Sequence, residues 1–288
     1  MNPDVGLWAQ LACIWEATAR KPGNVHRYRD FDDLTYVDFL TSAAAIAPVL
    51  AGAAGRRVGA TILECVRATR RVANSNSNLG IVLLLAPLAA VPANEHLKTG
   101  IGRILADLDV DDARLAYEAI RVARPGGMGR VSEQDIAAEP TETLRQVMTL
   151  AADRDVVARQ YDNGYREVFE VAAPAIRDGL DQMTPLEGAI IRAQLVLMAD
   201  HPDTLIARKC GAAVAREASD RARRVLATDW PAAEAGRLEI AGFDSWLCAD
   251  GHRRNPGATA DILTAGMFVL LREGTLDLPL RMPGASTS

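Results

Sequence analysis

The chain is poor in aromatic side chains, poor in cysteine and without an excess of positive charge. Phe, Trp and Tyr make up only 5% of its 288 residues, against a hydrophobic fraction of 49%. The core must therefore be built from Ala, Leu, Val and Ile, and a chain rich in Ala and Leu leans towards helix because those residues lose little rotamer freedom there. Its four cysteines, Cys13, Cys65, Cys210 and Cys248, are far apart and never form C-x-x-C. That excludes zinc ribbons and thioredoxin-type motifs and leaves buried, reduced thiols. The net charge is −5 and no lysine- or arginine-rich block occurs, so nucleic acid is not expected as a partner. MNPDVGLW has no basic stretch leading into an apolar run, so no signal peptide is expected. The longest apolar run, LGIVLLLAPLAAVPA, contains Pro87 and Pro92 and falls short of the ~20 residues of a membrane span. The expected protein is cytoplasmic, without a membrane partner. Also missing are G-x-x-x-x-G-K-[ST], H-E-x-x-H and the paired D-D-x-x-D of prenyl synthases, which excludes the phosphate loop and zinc chemistry those motifs serve.

What is present is helical periodicity. Apolar residues recur at i, i+3, i+4 and i+7 over residues 5–19, 36–51, 57–73, 79–91, 111–123, 142–152, 154–179, 185–199, 203–226 and 258–272. Ser132 with Asp135, and Thr141, read as helix starts; Gly55 and Gly274 read as stops. Strand-like alternation is nearly absent and no linker divides the chain. The expectation is all-α: one multi-layer domain over 1–288, of about ten helices.

Polar residues gather at helix junctions, where free N–H groups can receive anions. EATARKPGNVHRYRDF (16–31) crowds charge into the loop after the first helix. NSNSNLG (74–80) precedes an apolar helix and reads as a run of caps or as a phosphate contact. ADHPDTLIARKCG (199–211) offers Asp203 as an N-cap or, with its neighbours, as a Mg²⁺ ligand. NPGATADILTAG (255–266) places Asp261 inside an apolar pattern, where a carboxylate needs a partner, an ion or water. DRDVVARQYDNGY (153–165), with Asp155, Arg159 and Tyr161, reads first as a solvated face, and PGGMG (125–129) as a turn.

Taken in order, Glu16 with KPGNV (21–25), NSNLG (76–80), GGMG (126–129), RDVVARQY (154–161), DTLIARKCG (203–211) and NPGATADIL (255–263) resemble the triphosphoribosyl-dephospho-CoA synthase family over nearly the whole chain. The resemblance implies an all-helical transferase. It would displace adenine from ATP and join the triphosphoribosyl C1 to a hydroxyl of dephospho-CoA or a related acceptor in cofactor biosynthesis. It implies Glu16, Glu64 and Asp203 as catalytic residues. Arg20, Lys21, Asn24, His26, Asn76, Asn78, Arg208, Asn255 and Thr259 become nucleotide-binding residues, and Asp203 and Asp261 ligands of Mg²⁺. A homodimer is compatible with it. Departures from the family pattern are His26, where K-P-G-L-V-D has aspartate, and Asn78-Leu79, where N-T-H-K-G has His-Lys. They point to a divergent branch with a different acceptor or a different anchoring of the nucleotide. Two other readings stay open: a Mg²⁺-dependent hydrolase resembling ADP-ribosyl-glycohydrolases, and a non-catalytic helical scaffold.

Overall fold

The structure is a computed structural model and describes residues 2–124, 134–182, 185–276 and 278–280. The run 125–129 and Ser132 lie outside the described residues. Among those described there is no strand, only a bridge between His26 and Arg29, and fourteen α-helices occur. They are α1 (Pro3–Thr18), α2 (Tyr36–Ala51), α3 (Val58–Val72), α4 (Leu79–Ala90), α5 (Leu97–Ala106), α6 (Val110–Ala123), α7 (Leu144–Thr149), α8 (Val156–Asn163), α9 (Ala173–Asp181), α10 (Leu186–Asp200), α11 (Thr204–Cys210), α12 (Ala212–Leu226), α13 (Glu234–Cys248) and α14 (Gly257–Arg272), with a π turn over Val168–Ala172.

The all-α class stands, and the count of about ten is corrected. Each of the ten periodic segments is helical, but two of them are divided. Within 154–179 the chain turns through left-handed backbone at Gly164 and Tyr165. Within 203–226 it breaks at Gly211, whose φ of 94° is a conformation that L side chains rarely adopt. Two further helices, α5 and α13, carry two glycines each, which dilute their periodicity. The predicted caps shift similarly. Thr143, not Thr141, forms a capping box with Gln146, and α2 ends at Gly52, three residues before Gly55. Gly274 holds the expected stop. Its N–H donates to the Leu271 carbonyl at 3.2 Å while Thr275 N–H donates to Leu270 at 2.9 Å, the paired bonds of a Schellman ending.

Packing groups the residues into two compact units, Met1–Ile14 with Asp33–Arg166, and Trp15–Asp32 with Glu167–Ser288. In the first, α3 packs on α2, α4 and α6, and α4 also meets α5 and α8. Helix α4 is apolar all round and almost wholly buried, as a helix without a polar face must be. Pro87 inside it has no N–H for the carbonyl of Leu83 one turn earlier. The buried Tyr161 hydroxyl of α8 donates to that carbonyl at 2.6 Å. Tyr161, read from sequence as part of a solvated face, is thus a core residue that completes α4. Asp155, from the same face, caps α8 through the Val157 and Ala158 amides.

In the second unit α10 packs on α9, α12 and α14, while α14 also meets α9, α11 and the π turn. All of α14 from Ile262 to Leu271 is buried. A core of Leu195, Met198, Ile206, Ala218, Val225, Phe243 and Leu247 joins α10, α11, α12 and α13. The ends of these helices carry the polar residues of interest.

Candidate functional site

Helix α1 ends at Thr18, and the next residues fold back over its last carbonyls. The Lys21 ammonium is completely buried, 2.8 Å from the Glu16 carboxylate. It also donates to the carbonyl oxygens of Glu16 and Ala19, so each of its three protons has an acceptor. A cation here complements the helix C-terminus. Gly23 then turns the chain at φ 74°; a Cβ there would stand 2.7 Å from Leu247 Cδ1 and 3.0 Å from Pro256. The glycine of K-P-G is therefore required twice over, by conformation and by space. Its N–H donates to Asp244 Oδ1 at 2.8 Å, and Arg29 grips the same carboxylate with both terminal nitrogens. Burial alone would raise the Asp244 pKa, but the Arg29 and Gly23 bonds hold it below the usual carboxylate range.

Two arginines of the loop share one acid. Arg20 reaches Glu187 at the start of α10 through Nε and Nη2 at 3.0 and 3.1 Å, and Arg27 reaches the same carboxylate at 3.2 Å. Glu187 is buried, while the Arg20 side chain is about half exposed. Two cations against one anion leave a net positive charge at this edge of the loop. The Glu187 pKa, which burial would push up, is held down by these bonds. His26 lies between, buried, with Nδ1 accepting the Tyr28 N–H at 3.2 Å.

The second ring of contacts joins segments far apart in sequence, by as much as 231 residues between Asn24 and Asn255. Asn24 Nδ2 donates to Asn255 Oδ1 at 2.6 Å, and Gln194 of α10 donates to Asn24 Oδ1 at 2.9 Å. Asp203 Oδ1 accepts the Ile206 N–H at 2.9 Å, while Oδ2 accepts the N–H and hydroxyl of Thr259, both at 2.8 Å. One carboxylate thereby caps α11 and holds the first turn of α14. Burial raises its pKa, against the pull of the donated hydrogen bonds.

Of the residues singled out from sequence, Glu16, Arg20, Lys21, Asn24, His26, Asp203, Asn255 and Thr259 are thus held in one set of packed helix ends within the second unit. Arg208, in the last turn of α11, is exposed, and Asp261 is half-buried one turn into α14. The remaining three belong to the first unit. Glu64 is exposed and ion-paired with Arg56. Asn76 accepts the Leu79 N–H at 3.3 Å, and Asn78 donates to Thr69 Oγ1 at 2.9 Å. Sequence reading took in Arg27 and Arg29 only as part of the charged loop after α1, and missed Glu187, Gln194 and Asp244 as members of the set. Glu187 and Gln194 had a weak signal, as polar residues in the apolar run of α10. Asp244 had none, since α13 was not expected.

The Mg²⁺ assignment fits Asp203 poorly. Three donors already occupy its oxygens, and among the described residues no group of three His, Cys, Asp or Glu side chains is placed to share a metal ion.

The state of His26 sets one pH limit. Burial first, then the charges of Arg29 and Lys21, lower its pKa to about 4. The unfolded chain takes up that proton near the ordinary value of about 6.5. Between those values the unfolded state binds more protons, so stability is full above the upper one and falls as pH drops through the window. The melting temperature is expected to decline between about pH 6.5 and 4, and His26→Asn, whose oxygen takes the place of Nδ1, should decline less steeply. An unchanged slope in the variant would rule His26 out as the cause.

Comparison with known proteins bears on this arrangement. The model of the family described as ATP:dephospho-CoA triphosphoribosyl transferase matches residues 2–278. A protein of Azotobacter vinelandii described as a probable 2-(5''-triphosphoribosyl)-3'-dephosphocoenzyme-A synthase is 24% identical over 223 residues, 76% of this chain and 74% of that protein. A crystal structure from Archaeoglobus fulgidus, described as that of a 'putative triphosphoribosyl-dephospho-coA synthase', is similar at 26% identity with a TM-score of 0.64, over 82% of this chain and 99% of the other.

Proposed function

Because the chain belongs to the ATP:dephospho-CoA triphosphoribosyl transferase family, and is an ATP-dependent transferase of that type, we propose that the helix ends of the second unit hold the triphosphate and ribose of ATP. The observation that carries this reading is the Asn24–Asn255 hydrogen bond of 2.6 Å, which ties K-P-G-N to N-P-G-A-T-A-D. Around that bond the second unit offers what a ribosyl transfer needs. Arg20 and Arg27 supply charge for phosphate oxygens, and the N-terminus of α14 supplies amide dipoles of the same sign.

In the reaction the bond from ribose C1 to the adenine nitrogen breaks, with the electron pair leaving on adenine, and a bond from C1 to the acceptor oxygen forms. Positive charge develops on the sugar as in glycoside cleavage. Glu16, held by Lys21 in a buried site, is the proposed carboxylate that offsets this charge and takes the acceptor's proton. Held so firmly, it costs little reorganisation at the moment of reaction. Asp261 is the proposed contact for a magnesium ion that arrives with the triphosphate, since such an ion needs only one or two protein carboxylates. Dephospho-CoA is the acceptor named by the family, and the departure at His26, which lies among the helix ends of the second unit, favours another phosphorylated alcohol. Among the described residues no helix is long and apolar enough to cross a membrane.

The deciding experiment incubates the protein with ATP and magnesium, with and without dephospho-CoA or a metabolite extract. The expected result is adenine release that depends on an acceptor, and a product heavier than that acceptor by a triphosphoribosyl unit. Release of ADP-ribose from a modified protein, or no adenine under any condition, would refute the reading.

A further inference from the structure

Gln194 sits in the middle of α10 with no exposed surface. Its Nε2 donates to the Pro22 carbonyl at 3.0 Å as well as to Asn24 Oδ1 at 2.9 Å. Pro22, Gln194, Asn24 and Asn255 therefore form one chain of hydrogen bonds. A side-chain amide can be turned either way round, so the polarity of such a chain is decided by whichever member has no choice. Here that member is the Pro22 carbonyl, which can only accept. Gln194 must present its NH₂ group, Asn24 answers with its oxygen and turns its own NH₂ to Asn255, and Asn255 answers with its oxygen. The amide left facing away from the chain is the Asn255 NH₂.

The orientation carries a visible cost. Gln194 Oε1 is buried without a hydrogen-bond partner among the described residues, a penalty of about 1–3 kcal/mol. Turning the amide over would satisfy nothing, because it would set that oxygen against the carbonyl oxygen of Pro22. At the other end, Asn255 Nδ2 lies beside Gly257, 3.6 Å from where a Cβ on that residue would stand. In this first turn of α14 the N–H groups of Gly257, Thr259 and Ala260 bond to the Asn255 carbonyl, Asp203 and the Pro256 carbonyl. The Ala258 N–H has no partner among the described residues.

We infer that Gln194 is a positioning residue that fixes, through Asn24, which end of the Asn255 amide faces the ligand, so that an NH₂ and not an oxygen meets the triphosphate beside the Ala258 N–H. The inference rests on the reading of the second unit as a nucleotide site. A reversed Asn255 would set oxygen against phosphate oxygen, at a helix end whose dipole otherwise favours anions. The residue acts only through its neighbours and touches no reacting atom.

The test uses isosteric changes in the full chain, with calorimetric titration of ATP and, separately, of inorganic tripolyphosphate. In Asn24→Asp the carboxylate can only accept, so Asn255 must turn its NH₂ inward and its oxygen outward. Gln194→Glu reverses the chain from its fixed end, and Asn255→Asp keeps the inner bond while removing the outer NH₂. All three are expected to weaken both ligands at least about tenfold. Asn255→Asp, at the partly exposed end, should do so with little change in melting temperature, whereas a purely structural role would move stability and leave affinity alone. If the unaltered protein binds ATP and tripolyphosphate and Asn24→Asp and Asn255→Asp bind them equally well, the inference fails while the functional reading stands. Unaltered protein that binds ATP but not tripolyphosphate also overturns it. Unaltered protein that binds neither overturns both.

Discussion

Lys21→Met is expected to cost about 3–5 kcal/mol of stability, because it strands a carboxylate in a buried site. The pair it breaks is enclosed on both sides, with Lys21 fully buried and the Glu16 side chain 4% exposed. The Glu16 and Ala19 carbonyls at the end of α1 would lose their donor in the same step. Removing both charges differs from removing one, since a buried ion pair replaced by neutral groups of similar volume is often nearly neutral in stability. Glu16→Gln with Lys21→Met should therefore recover most of the loss in thermal and urea unfolding. The double variant also separates two roles for Glu16. If Glu16 takes the acceptor's proton, the protein regains its fold but releases adenine about 10²–10⁴-fold more slowly. Recovery of both fold and rate would make the pair a structural staple and remove Glu16 from the chemistry.

Asp203→Ala should be of similar size. The Ile206 amide, the Thr259 amide and the Thr259 hydroxyl would all lose their acceptor, and each stranded buried donor costs about 1–3 kcal/mol. A loss of about 3–9 kcal/mol follows, seen as a lower urea midpoint at unchanged slope. Asp203→Asn should fall between. Its oxygen can still accept from Ile206, but its NH₂ faces the Thr259 amide, donor against donor. Since the carboxylate is already occupied, adding or chelating Mg²⁺ in the absence of nucleotide is expected to leave the unfolding curve of the unaltered protein unmoved. A shift abolished by Asp203→Asn would restore the metal role. Wild-type stability in Asp203→Ala would deny the capping role.

Several features of this molecule could be read residue by residue. The helix class follows from a core confined to small and branched aliphatics with a 3.6-residue repeat. The aspartate of D-T marks a helix start and is found as one. Errors came where a local signal was weak or shared. Glycines inside α5 and α13 blurred their stripes. Gly211 and Gly164 ended helices whose apolar periodicity ran on past them. Asn76 and Asn78 show the opposite case, a polar run long enough to suggest a ligand, whose side chains bond within their own unit.

The identity of the partners was a different matter. Periodicity and capping are properties of neighbours within a few residues, so the chain alone settles helix class and the positions of helix ends, and its ordered motifs settle the family. Which helix end faces which is decided by packing over separations of 160 residues and more, as between Arg20 and Glu187 or Asn24 and Asn255. Sequence placed a lysine, a carboxylate and two amides, Asn24 and Asn255, near helix termini, and left Gln194 unnoticed inside α10. Only tertiary packing made the lysine a buried counter-ion, the carboxylate a cap for two helices and the amides one polar chain, because burial dictates that each such group take the nearest partner that satisfies it.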